Sequence, residues 1–135
     1  MKKYKYLLAI LGLAFIFGGC DYMITPRNHY VSVYNAEYDK YITSVYYKPA
    51  GYYDEYWSKN MICDFIYPNE TFDMIVAEGT YDFKVFAEDD YYSYEADIYD
   101  VYVYENVEID FCLDCDRKKE NIKITKTPKK TNTAK

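Results

Sequence analysis

Thr71–Ala77, TFDMIVA, followed by Thr80–Ala87, TYDFKVFA, is the stretch on which the fold turns. In the first segment Phe72, Met74 and Val76 fall on every second position. In the second, Tyr81, Phe83, Val85 and Ala87 oppose Asp82 and Lys84. A period of two belongs to strands, whose successive side chains point to opposite faces, so one face is apolar and the other wet. Glu78-Gly79 supplies the turn between them.

The same pattern extends both ways. Upstream, His29–Asn35 (HYVSVYN) sets Val31 and Val33 against Tyr30, Ser32 and Tyr34. Ile42–Tyr47 (ITSVYY) stops at Lys48-Pro49-Ala50-Gly51, a turn signal. Residues 51–60 (GYYDEYWSKN) are aromatic and polar without a period and read as a loop. Met61–Tyr67 is a short apolar run closed by the turn Pro68-Asn69-Glu70. Downstream, the acidic turn Glu88-Asp89-Asp90 precedes Tyr91–Ile98 (YYSYEADI). Asp100–Tyr104 and Val107–Leu113 flank Glu105-Asn106, which reads as a tight hairpin turn. About seven short strands, with a turn signal roughly every 8–12 residues, predict an all-β chain: a single antiparallel β-sandwich over residues 29–114.

Composition agrees. Tyrosine is the outlier, at 20 residues, and tyrosine favours half-buried sheet faces where the ring packs and the hydroxyl stays wet. Between residues 29 and 114 the one leucine is Leu113, so little helix is expected. Residues 20–116 carry 21 acidic side chains against five basic ones. Residues 117–135 carry Arg117 and seven lysines against Glu120. The split predicts an acidic folded body and a basic, disordered tail over 115–135, interrupted by Pro128. An acidic body argues against a nucleic-acid partner, which needs clustered Lys and Arg.

The N-terminus decides the expected address. Lys2, Lys3 and Lys5 precede an unbroken apolar run from Leu7 to Phe17, then Gly18, Gly19 and Cys20. The run is shorter than the roughly 20 residues that span a bilayer, as in a secretory signal. Phe17-Gly18-Gly19-Cys20 resembles the lipobox of bacterial lipoproteins; Phe17 departs from its usual Leu, Val or Ile. The resemblance implies a signal peptide at 1–19, a lipidated Cys20 as the membrane anchor, and a tether at 20–28. It implies a lipoprotein on the cell or outer membrane, facing periplasm or exterior.

A second resemblance lies in the order of Trp57, Pro68-Asn69-Glu70 and Gly79-Thr80-Tyr81-Asp82. It is similar to a small immunoglobulin-like or transthyretin-like β-sandwich module of secreted bacterial proteins, over about residues 29–113. That likeness implies no catalytic activity and no cofactor.

Candidate sites follow by chemistry. A disulfide between Cys63 and either Cys112 or Cys115 leaves one thiol over, and an oxidising compartment permits it. Free buried thiols are one alternative. Metal or redox chemistry at the C-x-x-C of Cys112 and Cys115 is another, although no helix is expected after it to lower a thiol pKa. Glu88, Asp89, Asp90, Glu95, Asp97 and Asp100 offer oxygens to calcium but lack a D-x-D-x-D-G spacing. Such a run also serves as a solvated face that blunts strand edges. His29 has no motif joining it to a nucleophile. Tyr52, Tyr53, Tyr56 and Trp57 share one loop, and exposed Tyr and Trp side chains suit a protein or polysaccharide partner. The tyrosines of the late strands, from Tyr91 to Tyr104, are expected to be largely half-buried cross-strand partners. The expected function is a non-enzymatic binding or structural module, with a calcium-dependent module as the alternative.

Overall fold

The computed structural model describes residues 27–113, 115 and 121–130. The expected signal peptide (1–19), Cys20 and the tether up to residue 26 lie outside the described residues, as do 114, 116–120 and 131–135. Seven strands are described: β1 (Asn28–Asn35), β2 (Tyr41–Pro49), β3 (Thr71–Ala77), β4 (Gly79–Glu88), β5 (Tyr92–Val103), β6 (Val107–Phe111) and β7 (Ile122–Pro128). They form two sheets, of order β3-β1-β6 and β2-β4-β5-β7. Among the described residues no helix is long and apolar enough to cross a membrane.

The alternation that marks β4 also fixes its place. Phe83, Val85 and Ala87 are fully buried and meet Val31 and Val33 of β1, Val45 of β2, and Met74 and Val76 of β3 in one cluster fed by both sheets. Burial of each larger aliphatic or aromatic side chain contributes roughly 1.5–3 kcal/mol. Tyr47 and Tyr81 extend the cluster, with ring centroids 6.0 and 6.5 Å from that of Phe83.

Four expectations are corrected. First, Glu105-Asn106 is not a hairpin turn: β5 and β6 belong to different sheets, and the chain crosses between the layers there. Second, pairing is not wholly antiparallel. β6 runs parallel to β1, with Val33 opposite Ile109, because the crossing brings it back alongside the first strand. Third, Tyr91–Ile98 and Asp100–Tyr104 are not separate strands. They form the single β5, bent at a bulge where Tyr99 and Asp100 both oppose Asp82. Fourth, the tail is not wholly unstructured. Residues 122–128 form β7, antiparallel to β5, with Ile122 opposite Ile98 and Ile124 opposite Ala96. Lysines in and just after it find local partners: Lys126 Nζ lies 3.8 Å from the centroid of the Tyr92 ring, and Lys129 pairs with Glu88 at 2.9 Å.

The run Met61–Tyr67 forms no strand. Ile42 and Ile66 make an isolated antiparallel bridge. Asn35, fully buried, staples this segment by donating from Nδ2 to the carbonyls of Lys40 (2.8 Å) and Ile66 (2.9 Å).

Candidate binding surface

β2 is an edge strand of its sheet, and the segment after it runs along that edge. Ser58 N–H donates to the Tyr47 carbonyl (2.8 Å), and Met61 N–H to the Val45 carbonyl (2.9 Å). The side chains of Ser58 and Asn60 accept from the Tyr47 and Val45 amides, both at 3.0 Å. These bonds cap backbone groups that an open edge would leave unpaired, and they hold the aromatic loop from its C-terminal side.

The other side begins with a tight turn. Tyr52 N–H donates to the Pro49 carbonyl across Ala50-Gly51, and Gly51 sits at φ 79°, which a residue without a Cβ adopts freely. A single 3-10 turn, Asp54–Tyr56, follows.

Lys48 pins the loop to the sheet. It lies opposite Asp82 on the face of β2 and β4 turned away from the core, and both side chains are only 7% exposed. Lys48 Nζ donates to Asp82 Oδ2 (2.9 Å) and to the Tyr52 carbonyl (2.8 Å). Asp82 Oδ1 accepts from the amide of Asp100, which the β5 bulge removes from the ladder and which sits at φ 56°. One buried ion pair thus joins β2, β4, the β5 bulge and the loop.

Trp57 closes the arrangement. Its ring centroid is 5.1 Å from Lys48 Nζ and 4.8 Å from Lys84 Nζ, and its Nε1 donates to Asp54 Oδ1 (3.3 Å). Each such cation–aromatic contact contributes roughly 0.5–1 kcal/mol or more when partly desolvated. Lys84 also faces Glu95 (3.3 Å) and Asp97 (3.8 Å) on β5. Burial pushes the Asp97 carboxyl above its ordinary value, with the Lys84 ammonium pulling the other way. Tyr52, Tyr53 and Tyr56 stand outward at 56%, 80% and 52% exposure, with Tyr52 and Tyr56 edge to face at 5.4 Å. The loop offers an aromatic ledge on a fixed base, suited to stacking against a flat apolar ligand surface.

The remaining expected sites are dispersed. The disulfide joins Cys112 to Cys115, closing the C-x-x-C on itself; Cys63 is free and exposed, so pairing through Cys63 is corrected. Cys63 stands apart from the pair, on the loop after β2, whereas Cys112 directly follows β6. Cys63 sits beside an aromatic group that sequence reading missed, Tyr41 stacked on Phe65 at 5.2 Å with Tyr67 adjacent. Distant residues supply these rings, so no local spacing announces them.

The acidic residues do not converge on one point. Glu88 pairs with Lys129, and Glu95 and Asp97 with Lys84. Asp89 accepts from the Tyr91 amide, the Tyr92 amide and the Tyr94 hydroxyl, at 2.8, 2.7 and 2.7 Å. Among the described residues no group of three or more potential metal ligands converges. Burial alone would raise the Asp89 pKa, yet the three donors hold it below the usual carboxylate value. Burial, with the bond to Asp89, pushes the Tyr94 phenol up to about 12. Nearby, Lys40 keeps its charge against burial through Asp39 and Glu37, and Glu37 also accepts from the Leu113 amide. The late tyrosines are more exposed than expected: Tyr91, Tyr99, Tyr102 and Tyr104 face solvent, and Tyr94 alone of the group is buried. His29 lies 3.7 Å from Glu78.

Comparison of the chain with family models, with curated proteins and with solved structures finds no match.

Proposed function

We propose that the chain is a lipid-anchored, non-enzymatic lipoprotein of the bacterial cell envelope. Its body is a small β-sandwich of immunoglobulin-like or transthyretin-like kind that binds a protein or envelope polysaccharide through the loop Tyr52–Trp57. The lipobox-like Phe17-Gly18-Gly19-Cys20 supports the anchor. The observation that carries the binding role is the buried Lys48, which ties the Tyr52 carbonyl to Asp82 beneath three exposed tyrosines. A loop so held loses little conformational entropy when a partner stacks on it.

Trp57 is the single tryptophan of the chain, so its emission reports the loop. Purified envelope polysaccharide and a soluble envelope-protein fraction are each titrated while Trp57 emission is followed. A saturable change with either, lost in Tyr53→Ala/Tyr56→Ala, supports the role. Saturable binding that leaves Trp57 unaffected and survives the double substitution rejects the loop as the site. For the anchor, a palmitate analogue should label the native chain and not Cys20→Ser; equal labelling rejects it.

A further inference from the structure

β6 borders the three-stranded sheet. It pairs with β1 on one side, and among the described residues no strand pairs with its other side. An edge of this kind presents backbone donors and acceptors in a row. Beside it, between the two sheets, lies a cavity of 180 Å³. Val107 and Ile109 of β6, Ile98 and Val101 of β5, and Ile122 of β7 give it an apolar wall, and Glu108, Asp110 and Asn121 complete its lining at the mouth. Its volume exceeds the roughly 150 Å³ that holds a benzene-sized guest elsewhere, so its apolar side has room for an aliphatic side chain.

The outer face of the same strand has one sign of charge. Glu108 and Asp110 point away from the core, and Asp73 on β3 lies in the same cross-strand row as Ser32 and Glu108. The strands β1, β3 and β6 contain no Lys or Arg. The Asp110 carboxyl, hydrogen-bonded to Glu108 and repelling it, raises the Glu108 pKa. The other sheet differs, since Lys48, Lys84, Lys123 and Lys126 all stand on its strands.

We infer that the free edge of β6 is a docking site for an extended basic peptide, which adds as a fourth strand to the sheet β3-β1-β6. Strand addition takes its affinity from backbone hydrogen bonds and its specificity from alternate side chains. Here the inward side chains of the peptide enter the cavity between Ile109 and Ile122, and its outward Lys or Arg side chains pair with Glu108 and Asp110. The carboxylates therefore do two jobs: they repel a second acidic copy of this chain and select a cationic guest. The site stands apart from the loop Tyr52–Trp57 and does not depend on the function proposed for it.

The test uses the full chain in mild detergent and a capped heptapeptide of alternating Lys and Val. Binding is followed by backbone amide shifts. The shifts should centre on Val107–Phe111, and Glu108→Gln/Asp110→Asn should weaken binding by about two- to thirtyfold, as expected for two exposed charge pairs. A peptide N-methylated at every residue should fail to bind, as should one of alternating Glu and Val. No binding of the Lys-Val peptide overturns the inference. So does equal binding of the N-methylated or acidic peptide, equal affinity of the double variant, or shifts confined to β3 or β7.

Discussion

Replacing Lys48 by Met keeps the aliphatic stem beside Trp57 and removes the charge. Asp82 then remains at 7% side-chain exposure with its Oδ2 unpaired and only the Asp100 amide on Oδ1, while the Tyr52 carbonyl loses its donor. Leaving one partner of a buried ion pair alone costs roughly 3–5 kcal/mol. That is a large share of the roughly 5–15 kcal/mol that holds a domain together. At roughly 4–8 °C per kcal/mol for a body of this size, the midpoint of thermal unfolding should fall by at least about 12 °C. Differential scanning calorimetry measures this, and Trp57 emission should shift to the red below the transition because the loop has lost its peg. Adding Asp82→Asn to Lys48→Met removes the orphaned charge yet keeps an oxygen for the Asp100 amide. The double variant should therefore recover about half of the loss or more. A single variant melting within about 3 °C of the native chain, or a double variant no better than the single, would show that the Lys48–Asp82 pair does not hold the loop and sheet together.

Three further outcomes are expected. Phe83→Ala empties the centre of the core between Tyr47 and Tyr81 and should cost about 3–5 kcal/mol in urea unfolding; a cost under about 1 kcal/mol would contradict the packing. Asp89 has a folded pKa below its unfolded value, so its contribution is present above about pH 4 and is lost as pH falls through the folded value. Asp89→Asn should accordingly flatten the acid limb of stability against pH, and an unchanged limb would count against its three hydrogen bonds. With Cys20 replaced by Ser, mass spectrometry after alkylation without reductant should find one label, on Cys63. Reduction should add two, and labelling of Cys112 before reduction would contradict the disulfide.

Strands with a clean period of two were legible. β1, β3 and β4 stand where Val31/Val33, Phe72/Met74/Val76 and Phe83/Val85/Ala87 place them, because burial on one face writes alternation into the chain. Pairing partners were not legible. Nothing local in Val107–Phe111 says that it returns parallel to β1, since a register 76 positions apart is set by the whole fold. β7 left a faint signal, Ile122 and Ile124 alternating with Lys123 and Thr125. A lysine-rich surrounding hid it, and its ladder to β5 needs no deep burial. The aromatic loop was visible in composition, but its anchor was not. Lys48 reads as part of a turn and Asp82 as a wet-face residue, and only the overlying loop makes both buried.

The proposed binding role requires the aromatic loop to be a fixed surface seated on the sheet. Its most direct test is the proton cross-relaxation spectrum of Trp57. Contacts are expected from the indole ring to the side-chain methylenes of Lys48 and Lys84, with those methylenes shifted upfield by the ring. Random-coil methylene shifts at both lysines, with no indole contact to either, would contradict it.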